Sequence, residues 1–483
     1  MNLAFLQDFA PLGILLLGAF ACLGVEGGFY GSRGDRGSLS RWIALAFTGL
    51  AFLAAVGFWR SSLGPAPPDV EHGSFLVDRF ALFFYAAAPA AAAAILLTGS
   101  DLEEQLDPHR PLYHALVLVS TSGVMLTASG ADLLTLLVGM ATVSLPLILG
   151  SALRKVDPGT VRSAARSLVV TGALLATFAA GEAILAGLGH ATQLSRLEAL
   201  PPSPLLGLAA LLIAVGVAGS LGAFPLTWWR VGATAAVPLG PALAGLALGA
   251  LGGAAALLRL LPGALGAAIP GWNVAVGVAA ALTILIAPAL AWRQRSLLAA
   301  VGCLFVGDAA LVLVGLTWSS RPATAAVLYL VLGLVPVVTA SLGLLGAVQL
   351  SGSGDGIVHL RGLASRSPLH AGLLALLLSA LAGLPPLTGF FARLMVVESS
   401  LEAGLGWLAV AVVLGAILSA AVALRWILVL LDPQAEGQPL ELPSRATLIG
   451  IGLSVAALAG FTVTLGPLMG IAARAALAPL AGP

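Results

Sequence analysis

Apolar residues run through this chain in long blocks, without the alternation of exposed strands or the one-sided stripe of soluble helices. Bounded by charge, proline or glycine, the blocks fall at about Phe9 to Tyr30, Trp42 to Trp59, Phe75 to Leu97, Leu112 to Ser129, Leu133 to Leu149, Leu168 to Leu188 and Leu205 to Leu226. They continue at about Val237 to Leu258, Trp272 to Trp292, Leu297 to Leu316, Ala323 to Leu345, Leu369 to Phe391, Leu405 to Leu431 and Leu448 to Met469. A helix rising 1.5 Å per residue needs about 20 such residues to cross about 30 Å of hydrocarbon. The pattern therefore predicts an all-α polytopic membrane protein of about fourteen transmembrane helices, the fourth and fifth separated only by Gly130-Ala131-Asp132. No basic region precedes the first segment and no clear cleavage site follows it, so a retained helix is expected rather than a signal peptide.

Composition sharpens this picture. Of 483 residues, 59% are hydrophobic and only 9% charged, against about 25% charged in soluble domains. A soluble enzyme is excluded, and a net charge of +1 offers no surface for nucleic acid. Cys22 and Cys303 lie far apart in apolar stretches, and the six histidines show no metal-ligand spacing, so no disulfide, cluster or metal site is expected. Lys155 is the sole lysine among the 22 basic residues. Lysine can lose its proton when buried and arginine essentially cannot, so a proton path built on buried lysines is not expected. Loops after odd-numbered segments carry fourteen Lys and Arg and the opposite loops seven, with Arg425 inside a segment, which predicts both termini outside the cytoplasm.

Two segments share an interruption. The seventh ends Gly222-Ala223-Phe224-Pro225-Leu226-Thr227-Trp228-Trp229, and the twelfth contains Gly383-Leu384-Pro385-Pro386-Leu387-Thr388-Gly389-Phe390-Phe391. Proline removes a helix hydrogen bond and clashes with the preceding turn, so both helices should break, at Pro225 and at Pro385 and Pro386. Paired interruptions five segments apart point to a transporter-like architecture with inverted repeats. The expected organisation is a three-helix segment over 1–110, a first five-helix repeat (segments four to eight) over 111–262, a second (nine to thirteen) over 263–431, and a C-terminal helix over 432–483.

From about Leu112 to Leu431 the chain resembles the antiporter-like membrane subunits of proton-translocating NADH-quinone oxidoreductase (complex I), most closely subunit N. Met125-Leu126-Thr127-Ala128-Ser129, Asp132-Leu133-Leu134-Thr135-Leu136 and Ser144-Leu145-Pro146-Leu147 look like the family's MLMAS, DLLxL and SLPLY block. Pro225, Trp229 and Pro238 fit its PFHxW and GAP stretch, with Arg259 in place at the end of the eighth segment. Arg295-Ser296-Leu297-Leu298-Ala299 is similar to KRLLAYSS, and Ser419-Ala420 through Leu424-Arg425 to SAYYYLR. The most specific match runs from Leu381 to Arg393, against LAGIPPLAGFxGKF.

The resemblance implies a membrane-arm subunit that couples quinone reduction to proton translocation in partnership with other membrane-arm subunits. It would itself be non-redox, with quinone, FMN and iron–sulfur clusters held only by partner subunits, and would sit in a bacterial inner membrane. The buried charges on which relatives move protons are mostly absent, however. Family glutamate and lysine positions fall on Ala141, Ser220 and Ala250, other polar positions on Thr227, Gly232 and Phe305, and only the twelfth-helix lysine keeps a positive charge, as Arg393. An impaired or altered path is therefore expected. A non-pumping scaffold and a cation/proton antiporter subunit are the alternatives.

The remaining intramembrane charges are the candidates for that path, because each costs at least ~2.5 kcal/mol at the bilayer centre. Glu182 and Asp308 read either as substitute protonation sites, partnered by Arg259 or Arg425, or as protonated acids hydrogen-bonded to a neighbour. Asp132 reads as a helix cap or a proton-path residue, and Arg393 as a fixed charge that either pairs with Glu398 or snorkels to the interface. Asp78-Arg79 is expected to form an interfacial pair, and Trp42, Trp59, Trp272, Trp292 and Trp318 an aromatic belt.

Overall fold

The computed structural model describes residues 9–28, 36–61, 70–106, 108–153, 158–189, 193–194, 203–230, 238–260, 272–317, 320–350, 356–433 and 443–476. Arg154, Lys155, Arg196, Gly232, Trp318 and the Ser351–Asp355 run lie outside these, as does the side chain of Trp272. The chain is helical almost throughout. The helices are α1 (Ala10–Glu26), α2 (Arg36–Ser61), α3 (Arg79–Thr98), α4 (Arg110–Ala128), α5 (Leu133–Ser151), α6 (Pro158–Gly189) and α7 (Pro204–Ser220). They continue with α8 (Leu239–Leu260), α9 (Trp272–Arg293), α10 (Leu297–Thr317), α11 (Arg321–Leu350), α12 (Pro368–Leu381), α13 (Thr388–Glu402), α14 (Gly406–Leu431), α15 (Arg445–Val463) and α16 (Leu465–Ala475).

Eleven of these are long and apolar enough to cross a membrane, and α1, α7 and α12 are shorter apolar helices. Together they coincide with the fourteen segments read from sequence. Several boundaries differ: α2 starts at Arg36 rather than Trp42, and α6 at Pro158 rather than Leu168. Phe75, expected to open the third segment, lies instead in β2 (Phe75–Val77), which pairs antiparallel with β1 (Val70–His72), and the helix starts only after Asp78 caps it. The last segment divides at Thr464 into α15 and α16.

Burial decides which helices form the centre. Every residue of α10 is buried, as is α11 from Ala323 to Val348 except Leu332. The buried residues of α8 run from Leu239 to Leu260, omitting only Gly245 and Gly249. By contrast α2 buries a single stripe, Ser40, Ala44, Thr48, Ala51 and Ala55, at the spacing of one helix face. Its other face presents Trp42, Leu50 and Leu53 outward, as suits a helix bathed in lipid. Close packing relies on small residues, since apolar side chains gain little by leaving lipid for protein. A Cβ on Gly123 of α4 would stand 2.6 Å from the Val143 nitrogen of α5, and one on Gly139 of α5 would stand 2.8 Å from the Thr127 nitrogen of α4.

Candidate functional site

Both predicted breaks are present and share one geometry. α7 ends with Gly222 N–H bonded to the Gly219 carbonyl and Ala223 N–H to the Ala218 carbonyl; α12 ends with Gly383 N–H on Ala380 and Leu384 N–H on Ser379. This is the pattern that closes a helix around a left-handed residue, and Gly222 (φ 81°) and Gly383 (φ 68°) supply it. Three residues on, each chain segment carries a cis proline, Pro225 in one and Pro386 in the other. The path then turns back into helix at Thr227 and Thr388.

In each break an arginine folds over the glycine. A Cβ on Gly383 would lie 2.7 Å from Arg393 Cζ, and one on Gly222 would lie 2.7 Å from Arg230 Cβ. Arg393 donates to the Leu381 carbonyl at 2.8 Å and to the Ala382 carbonyl, two of the acceptors that the end of α12 leaves open. Its other contact is the carboxylate of Asp308, in the middle of the fully buried α10. Asp308 and Arg393 are 3% and 8% exposed, so the pair is removed from lipid and water alike. Such a pair holds only when hydrogen bonds satisfy its remaining polar atoms, and the α12 carbonyls do this for the guanidinium.

Asp308 and Arg393 were both read from sequence as candidates, but not as partners. The expected partners of Asp308, Arg259 and Arg425, lie elsewhere. Arg259 makes a two-pronged contact with Asp78, 2.6 Å from each carboxylate oxygen, and donates to the Ala128 carbonyl at 2.7 Å. Asp78 therefore pairs with Arg259 across α3 and α8, not with its neighbour Arg79 as expected, because the cap on Ala81 N–H turns its carboxylate inward. Arg425 donates to the Trp292 carbonyl and lies over the Trp292 and Trp426 rings, 5.4 and 5.7 Å from their centroids. Asp132 caps α5, accepting from Thr135 N–H at 2.6 Å. Glu182 is buried in α6 and forms no salt bridge among the described residues.

A buried network went unread in the sequence. His114, near the start of α4, bonds Glu103 through Nε2 at 2.8 Å and Ser40 of α2 through Nδ1 at 2.8 Å, with all three residues at most 1% exposed. The signal available was a histidine inside an apolar block; its carboxylate lies eleven residues away, beyond a turn, in the polar stretch that reads as a loop. Among the described residues no group of three His, Cys, Asp or Glu is placed to hold a metal ion.

The second cluster of polar groups sits in the first half. A cavity of about 110 Å³ opens between α5, α6, α7 and α8, with Ser144, Ser220, Trp229 and Arg230 on its wall. Arg230 donates to the Gly245 carbonyl at 3.1 Å, so the two less-buried glycines of α8 are those that face this cavity.

Comparison with known proteins gives this arrangement a lineage. The family model described as "NADH:quinone oxidoreductase/Mrp antiporter, TM" matches residues 130–419. NADH-quinone oxidoreductase subunit N 1 of Sorangium cellulosum is 33% identical over 457 residues, covering 89% of each chain. Among solved structures, a chain of the membrane-bound sulfane sulfur reductase, an archaeal respiratory membrane complex, superposes with TM-score 0.85 at 20% identity, covering 98% of this chain and 97% of its own. A chain of the Mrp complex from Dietzia sp. does so with TM-score 0.85 at 19% identity, covering 99% and 98%. Both breaks, the Asp308–Arg393 pair and the cavity fall within the span that the family model covers, and the chain belongs to the NADH:quinone oxidoreductase/Mrp antiporter transmembrane family.

Proposed function

We propose that this chain is a membrane-arm subunit of a respiratory complex of the NADH-quinone oxidoreductase type, contributing to proton translocation through its second half. The observation that carries the reading is the Asp308–Arg393 pair, buried where the twelfth segment breaks. An arginine does not release its proton at ordinary pH, so Arg393 is a fixed charge and Asp308 the group able to change state. Arg393 contacts both the Asp308 carboxyl group and the α12 carbonyls, so withdrawal of the guanidinium onto the carbonyls alone would separate the pair and change the charge that Asp308 faces. The α12 carbonyls already engaged by Arg393 give the guanidinium a place to stay in both states.

As one subunit of such a translocase, the chain would be non-redox, with quinone, FMN and iron–sulfur clusters residing in partners. Its setting would be a bacterial inner membrane, with both termini on the non-cytoplasmic side, as the loop arginines suggest. The test is Asp308→Asn in the assembled complex, reading protons translocated per electron. The expected result is a lower ratio with electron transfer retained; an unchanged ratio in a fully assembled complex overturns the reading. A second reading, a scaffold without ion flux, draws on Ala141, Ser220 and Ala250, where the family resemblance implies ionisable groups. It predicts an unchanged ratio for Asp308→Asn, Glu182→Gln and Arg393→Gln alike.

A further inference from the structure

The family model covers residues 130–419, and a second set of buried ionisable groups lies outside that span, at the end of the bundle where α2 and α4 begin. Glu103, in the turn over Leu102–Leu106, holds Nε2 of His114 at 2.8 Å, and the Ser40 hydroxyl of α2 holds Nδ1 at the same distance. A buried pair of this kind is often no more stabilising than apolar residues of similar volume, so tying the turn to α4 does not by itself account for it. The hydrogen count at Ser40 does. A serine hydroxyl carries one hydrogen, and here two acceptors are in reach, His114 Nδ1 at 2.8 Å and the Gly37 carbonyl at 3.0 Å. With the ring neutral and its hydrogen on Nε2 facing Glu103, the hydroxyl donates to Nδ1. With the ring doubly protonated, Nδ1–H donates to the hydroxyl oxygen, and the hydroxyl turns its hydrogen to Gly37. Both states keep both ring nitrogens bonded, and rotation of one hydroxyl connects them. The charge gained by the ring meets the Glu103 carboxylate in a charge-assisted hydrogen bond.

A second histidine–carboxylate pair stands at the same end, nearer the surface. Nδ1 of His109 lies 2.7 Å from Glu26, the last residue of α1, and both side chains are partly exposed. Five residues at about 1.5 Å each set His114 about 7.5 Å further into the bundle along α4. The surroundings of the inner pair can be taken element by element. α1 contributes Cys22, whose thiol donates to the Ser40 carbonyl, and α4 contributes Tyr113, its ring centroid 6.1 Å from that of His114. The basic groups at this end are Arg36 and Arg41 of α2 and Arg110 of α4, and in the turn Asp101 accepts from Ser444 N–H while Glu104 is exposed. On α3 and α8 the charged pair Asp78 and Arg259 lies at the far end of α4, by Ala128, and α5 carries no charged residue within its helix.

We propose that His114 and Glu103 form a proton-binding site between α2 and α4, filled through His109 and Glu26 from the side of the membrane on which these helices begin. One proton is taken from water at the rim and bound at His114 Nδ1, the Ser40 hydroxyl turning as it arrives. The site holds its proton at equilibrium, so it stands whether or not Asp308 takes part in translocation.

The test uses the assembled complex, titrated from acid to alkaline pH while infrared difference spectra are recorded. The wild-type acid-minus-alkaline spectrum is expected to carry an imidazole ring band that disappears in His114→Gln. Ser40→Ala keeps the pair but takes from the imidazolium an acceptor for a charged N–H, the stronger of the two hydrogen bonds that the hydroxyl can share with the ring, so the midpoint of that band should move to lower pH. After a pH jump, His109→Gln should slow the appearance of the band several-fold and leave its final amplitude unchanged. A His114→Gln spectrum identical to wild type overturns the proposal. So does a midpoint unmoved in Ser40→Ala, which keeps the test decisive where His114→Gln fails to assemble, or a rate unmoved in His109→Gln. All three variants leave Asp308 and Arg393 in place, so failure here is distinguishable from failure of the proton-translocation reading.

Discussion

Gly383 has two independent reasons to be glycine: its φ of 68° and the space that Arg393 occupies beside it. A side chain there costs about 1–2 kcal/mol in backbone strain alone and pushes the guanidinium away from Asp308. Gly383→Ala is therefore expected to lower the thermal stability of the subunit and, in the same preparation, the proton-to-electron ratio. Gly222→Ala, which meets Arg230 Cβ, is expected to cost stability while leaving that ratio unchanged. At this scale the sequence was only half legible. It flagged Asp308 and Arg393 separately because an ionisable residue in an apolar block stands out, but 85 positions separate them and nothing local says that they meet. Arg230 does not stand out in the sequence, because it lies past the end of the seventh apolar block; in the structure the turn at Thr227 carries it to the cavity wall.

Among helices, α3 and α8 are tied electrostatically where Arg259 engages both oxygens of Asp78 in a buried site. Removing one partner leaves an uncompensated buried charge, a loss of about 3–5 kcal/mol, whereas replacing both with apolar residues is often near neutral. Arg259→Met alone should reduce the amount of subunit recovered in assembled complex. Arg259→Met combined with Asp78→Leu should recover much of it, less the cap that Asp78 gives to Ala81 N–H, worth about 1 kcal/mol. Recovery no better than in the single variant would show that the tie acts by another route. The helices themselves were legible because a membrane demands length and apolarity, both countable in one dimension. The short β1–β2 hairpin was not, since Phe75-Leu76-Val77 is as apolar as the helix that follows, and only the cap at Asp78 marks the change.

Across the molecule, α8, α10 and α11 form the interior, while α2, with its single buried stripe, lies at the rim. The orientation proposed for this body rests on the loop arginines. An alkaline phosphatase fused after Pro483 should be active and a cytoplasm-dependent fluorescent reporter dark; the reverse pattern would invert the proposed sidedness. The centre of the bundle could not be read in advance, because hydropathy does not tell a helix facing lipid from one facing protein. Only the close packing of neighbours makes that distinction, and it is what leaves α10 without an exposed residue. For Asp308 the result is a matter of rate as well as energy. With every residue around it on α10 enclosed, a proton can reach or leave its carboxyl group only when the packed interior opens, so that transfer would follow the frequency of the opening instead of the proton concentration outside.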